Sequence, residues 1–184
     1  MNQRQRKFEN PRRIDELNPK STLIRIGINK ESTVLDYGAG TGIFTIPAST
    51  ITDKIVYAYD IDQEMINLIT KKVEDNNMHN VLVLSNEDIK NKVDALSIDN
   101  ILLVTVYHEI DNKSIFFDHC NKYLNKTGKI SIIEFHYKET PMGPPVKSRI
   151  SRQSIIDDFS NHNYKLIEEF DLGENFYLVS FVTV

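Results

Sequence analysis

The sequence has 184 residues, enough for one domain with a central sheet covered on both faces. Its net charge of −4 weighs against a nucleic-acid-binding surface, and a single cysteine, Cys120, excludes an intrachain disulfide. No apolar run approaches the roughly 18 residues of a membrane span, and no signal-peptide pattern opens the chain, so a cytoplasmic protein without a membrane span is expected.

In chain order, Arg4, Arg6, Lys7, Arg12 and Arg13 make the start locally basic, which reads as a solvated tail. Residues 8–17 are an arm that could fold over a pocket as a lid. Asn18-Pro19 reads as an N-cap followed by proline at the first helical position. Thr33 to Leu35 is a short buried strand, and Asp36 follows it. Gly38, Gly40 and Gly42 then alternate before an apolar segment, giving a strand, a tight turn and a helix N-terminus. A dinucleotide loop would carry glycine where Ile43 stands. The first core helix is predicted over 43–49, with Pro47 near its first turn.

Lys54 to Asp60 is the second strand, ending in an acid that could accept ribose hydroxyls. Asp62 caps the next helix, whose Met65, Leu68, Ile69 and Val73 recur at helical spacing. Asn80 to Leu84 is the third strand, followed by the polar Ser85-Asn86-Glu87-Asp88. The fourth, 99–106, is almost wholly apolar and fits the middle of a parallel sheet. It runs into Tyr107-His108-Glu109. Ser114 to Leu124 is an amphipathic helix that buries Cys120, and Lys129 to Phe135 is the fifth strand. A loop from His136 to Ile150 holds Pro141, Pro144 and Pro145 and can border a pocket. Ser151 caps a helix with Ile155, Ile156 and Phe159 inward, and 165–172 and 176–184 close the chain as two strands. Repeated βα units followed by paired strands predict an open α/β sheet with helices on both faces.

The stretch Asp36-Tyr37-Gly38-Ala39-Gly40-Thr41-Gly42 with Asp60 resembles motif I of the class I S-adenosylmethionine (SAM) dependent methyltransferases. The apolar strand, His108-Glu109, helix and Leu124-x-x-x-Gly128 strengthen the likeness to its type 11, UbiE-like small-molecule branch. Two departures are visible. Lys126-Thr127-Gly128 stands where the family often has Pro-Gly-Gly, and Asn86 where it more often has Asp, with Glu87 as the neighbour able to replace it. The resemblance implies a Rossmann-like doubly wound sheet, order 3-2-1-4-5-7-6 with strand 7 antiparallel. It implies one methyltransferase domain over 18–184, with 1–17 as an arm or lid.

The implied cofactor is SAM, leaving S-adenosylhomocysteine as product. The implied cofactor site comprises Asp36, Tyr37, Gly38, Gly40, Gly42, Asp60, Ile61, Asn86, Glu87 and Val104. His108 and His136 are candidate bases because each follows a buried strand and histidine titrates near neutrality; each could instead be a loop histidine bonded to backbone. No H-x-x-x-H or C-x-x-C spacing points to a metal. The acidic balance favours a small-molecule methyl acceptor over nucleic acid, in a monomer or homodimer. A non-catalytic SAM sensor or interaction protein and a nicotinamide-dependent oxidoreductase are the alternatives.

Overall fold

The computed structural model describes residues 3–184; Met1 and Asn2 of the 1–17 arm, and the side chains of Gln3, Arg4 and Lys7, lie outside the described residues. Seven strands form one sheet: β1 Val34–Tyr37, β2 Val56–Tyr59, β3 Val81–Leu84, β4 Ile98–Val104, β5 Leu124–Phe135, β6 Tyr164–Leu172 and β7 Phe176–Thr183. Their order is 3-2-1-4-5-7-6, as the resemblance implied, and β7 runs antiparallel to β5 and β6. Among the described residues the α-helices are α1 Gln3–Phe8, α2 Pro11–Leu17, α3 Pro19–Arg25, α4 Thr45–Ile51, α5 Gln63–Asp75, α6 Ile89–Lys92, α7 Lys113–Tyr123 and α8 Arg152–Ser160. No helix of the described residues is long and apolar enough to cross a membrane.

The period-two geometry of a strand divides the apolar residues between the two faces. In β4, Ile101 and Leu103 pack with Phe116, Phe117 and Tyr123 of α7 and with Ile155 and Phe159 of α8. Leu102 and Val104 face the other way, toward Leu17 of α2, Leu23 of α3 and Ala48 of α4. Ile69 of α5 joins Ala39 and Ala58 in a smaller cluster. Burial on both faces explains why β4 reads as an apolar run from Ile101 to Val104.

Several boundaries differ from those read in the sequence. Ile43 and Phe44 belong to the glycine turn, so the first core helix starts at Thr45 and places Pro47 at its third residue, still within the first turn. Asn18 does not cap α3 with its side chain. It sits in the left-handed region at φ 36°, and its N–H donates to Ile14 O, closing α2. α2 has its own Asn-Pro start, with Asn10 Oδ1 accepting from Arg12 N at 3.0 Å. The turn at Asn125 to Gly128 is an irregularity inside β5, which starts at Leu124 and shifts register against β4 between Ile98 and Asn100. Asp62 and Ser151 cap their helices as read, accepting from Glu64 N and Ser154 N.

Candidate functional site

The carboxyl ends of β1, β2 and β4 meet where the strand order reverses, the usual place for a ligand in an open α/β sheet. A cavity of about 340 Å³ opens there. The glycine turn forms its floor. Gly38 N and Ala39 N both donate to Tyr59 O, at 2.8 and 2.9 Å, which ties the turn to the end of β2. Gly38 has φ +80°, and a Cβ there would lie 2.6 Å from Val106 Cγ2, so no side chain fits. A Cβ on Gly40 would meet nothing within 4 Å. It would project into space along the cavity wall that a ligand could occupy. Gly42 faces away, where a Cβ would press on Ile69 at 2.9 Å, so its role is packing against α5.

Carboxylates stand on this floor. Asp60 accepts from Gly40 N at 2.8 Å through one oxygen and from Asp62 N at 2.9 Å through the other. Each oxygen keeps a lone pair for a ligand hydroxyl. Asp36 is 3% exposed and accepts from Thr45 Oγ1 at 2.6 Å. Burial lifts its carboxyl to about 7, the Thr45 hydrogen bonds pull it back, and the charge of Asp60 adds to the rise. Tyr37 packs its ring 4.7 Å from that of Tyr59, and its hydroxyl lies 3.2 Å from His119 Nδ1.

Of the residues singled out in the sequence, Asp36, Tyr37, Gly38, Gly40, Asp60, Ile61 and Val104 line the cavity together. Asn86 and Glu87 do not. Asn86 Oδ1 accepts from the hydroxyl of Tyr59, which does line it, and Glu87 is exposed. His108 lies just behind the wall. Its Nδ1 is 2.9 Å from both oxygens of Glu134, and its Nε2 is 3.7 Å from Glu109 Oε1. Glu109 itself lines the cavity, with Asp111 beyond it. His136 lies off the cavity, 3.6 Å from Asp171, and burial holds its imidazole below the usual range. Residues 141–145 do not border the cavity. Arg149 draws their loop onto the end of β5, donating to the carbonyls of Pro144, His136, Lys138 and Met142.

Glu134 was not read from the sequence, and Phe8, Arg13 and Thr105 were not singled out as site residues, although the 8–17 arm was read as a possible lid over the pocket. Phe8 and Arg13 reach the cavity from the amino-terminal arm. Arg13 is buried, so at that position the solvated-tail reading fails. Thr105 takes φ +55°, strained for a β-branched residue, at the exit of β4. Glu134 is wholly buried in β5; a lone acid inside an apolar strand was the available signal.

The model of the family described as ribosomal protein L11 methyltransferase (PrmA) matches residues 21–130, which carry the glycine turn, Asp60 and the exit of β4. The chain belongs to this family. Its neighbours in structure include SAM-dependent methyltransferases. A SAM-dependent methyltransferase from Aquifex aeolicus superposes with a TM-score of 0.90 at 24% identity, covering 97% of this chain and 96% of the other. A glycopeptide N-methyltransferase complexed with sinefungin superposes at 0.72 with 11% identity, covering 92% and 87%. Among sequence relatives, the ribosomal protein L11 methyltransferase of Thermoanaerobacter sp. is 38% identical over 69 residues, 36% of this chain and 22% of that protein. That of Streptococcus pneumoniae is 32% identical over 83 residues, 44% and 26% respectively. The matches thus span about a quarter of these relatives.

SAM is the cofactor of such methyltransferases, and the cavity suits it. An open Gly40 and an Asp60 with spare lone pairs are what a nucleoside needs. Thr41 Oγ1 is buried without a partner on the same wall, a donor that a polar ligand could satisfy.

Proposed function

We propose that this chain transfers the methyl group of SAM to an amino nitrogen, with a protein side chain as the first acceptor to test. The observation that carries the reading is one continuous cavity. It runs from the glycine turn and Asp60 to the carboxylates Glu109 and Asp111 beyond the exit of β4. In this reading Asp60 takes the ribose hydroxyls, the backbone around Gly38 and Gly40 lies against the cofactor, and Ile61 gives the base an apolar face. Residues 18–184 form the methyltransferase domain, the arm supplies part of its wall, and the protein works in the cytoplasm.

When bound, SAM supplies a methyl group on a positive sulfur. The chain's own residues position the acceptor, exclude water and remove a proton. Glu109 and Asp111 attract a protonated amine, and Glu109 is placed to take its proton. His108 then acts as a positioning residue. Glu134 fixes its ring through Nδ1, and its Nε2 faces the Glu109 carboxylate. His136 has no part in this reading. The relatives are named for a ribosomal protein, which makes an amine on a protein the first to test, and a free small amine would fit the same chemistry.

The test is transfer of labelled methyl from SAM to ribosomal protein L11 and, separately, to small amines, with the product located by mass spectrometry. Label should appear on nitrogen. Glu109→Gln should lower turnover by about 10²–10⁴-fold, the range for loss of a general base, and His108→Asn by less. Label on carbon, oxygen or sulfur would overturn the reading. SAM binding without transfer to any amine would favour a sensor.

A further inference from the structure

Among the described residues, three buried side-chain atoms have no hydrogen-bond partner: Arg13 Nε, Thr41 Oγ1 and Tyr123 Oη. Two of the three residues, Arg13 and Thr41, line the same cavity. Arg13 is the more demanding case because it is a cation, and it is 7% exposed. Its Nη2 donates to Thr105 Oγ1 at 2.9 Å. The rings of Phe135 and Phe176 lie 5.7 and 5.4 Å from its guanidinium carbon. Glu134 acts on it from a distance, while both oxygens of that acid are engaged by His108.

A desolvated guanidinium with an idle donor is costly unless something anionic reaches it. The chain nevertheless holds it in place. Three residues along α2, Glu16 accepts from Asn175 N at 3.1 Å and from Asn175 Nδ2 at 2.7 Å through each oxygen. Arg12 reaches Glu174 at 3.0 Å. Thr105, whose hydroxyl accepts from the Arg13 guanidinium, is held in a strained conformation. A planar guanidinium is suited to a carboxylate. Glu109 and Asp111 stand where a cationic acceptor is expected, and such an acceptor would not be placed against Arg13. The anion Arg13 awaits therefore belongs to the cofactor, whose one anionic group is the carboxylate of its aminoacyl end.

We infer that Arg13 is a cofactor-binding residue that grips this carboxylate, with Thr41 as a second donor on the same wall, so that the amino-terminal arm completes the cofactor site. This assignment rests on the proposed SAM site. A calorimetric cycle tests it, using S-adenosylhomocysteine and its decarboxylated form, which differ only in the carboxylate, against wild type, Arg13→Lys and Arg13→Met. Wild type should bind the decarboxylated ligand about 10- to 100-fold more weakly, the scale of a charged hydrogen bond. Arg13→Met should bind both ligands about equally, and Arg13→Lys should fall between. Equal preference for the carboxylate in wild type and Arg13→Met would overturn the assignment alone. So would a wild type indifferent to the carboxylate, a result that needs no folded variant. A wild type that binds neither ligand would overturn the SAM site along with it.

Discussion

At the scale of single residues, Asp36 makes the most direct physical prediction. Its carboxyl rises from an ordinary 3.8 to about 7 because it is buried, while Thr45 holds it by a short hydrogen bond. The native state therefore keeps a proton that the unfolded chain has already released above about pH 4. Stability arising from this group is present at low pH, falls as pH rises from about 4 to about 7, and is level above that. The slope cannot exceed about 1.4 kcal/mol per pH unit. Asp36→Asn keeps an oxygen for the Thr45 hydroxyl and removes the titration. Denaturant melts between pH 4 and pH 8 should show wild type losing stability relative to Asp36→Asn over that window. A difference that is flat, or of the opposite sign, would mean that Asp36 is ionised throughout.

At the scale of elements, α2 is a clamp with a measurable strength. Asn175 is wholly buried, and Glu16 satisfies both its backbone and side-chain N–H groups. Glu16→Ala leaves those donors idle and should cost about 1–3 kcal/mol. Arg12 pairs with Glu174 in solvent, so Arg12→Ala should cost less than about 1 kcal/mol. Urea midpoints of the two variants check this order; a reversal would show that the arm is held by surface charge. Hydrogen exchange in α2 should be slow before any ligand is added, because Leu17 lies in the core and Arg13 is buried. Fast exchange there that slows only with SAM would restore the lid read from the sequence.

At the scale of the whole molecule, what the sequence shows follows from how local each signal is. β4 is legible because burial on both faces leaves an apolar run from Ile101 to Val104, and the glycine turn because its backbone conformation and close packing tolerate few other residues. Asp60 is legible because it ends a strand. The 8–17 arm reads as a possible lid, but the burial of Arg13 does not show, since it depends on Phe135 and Phe176, far away in the chain. The start of α2 was within reach, because Asn10-Pro11 repeats the pattern of Asn18-Pro19. The pairing of His108 with Glu134 links the turn after β4 to β5, 26 positions on, so of its two acidic partners only Glu109 is visible beside it in the sequence.

The central claim is that the cavity at the switch point is a SAM site feeding an acceptor at the exit of β4. Calorimetric titration of the purified chain with SAM, alongside Asp60→Ala and with NADH as competitor, tests it most directly. The account predicts one saturable SAM site, weakened by about 1.5–3 kcal/mol in Asp60→Ala as charged hydrogen bonds are lost, and unaffected by NADH. Unchanged affinity in the variant, or NADH binding more tightly than SAM, would contradict it.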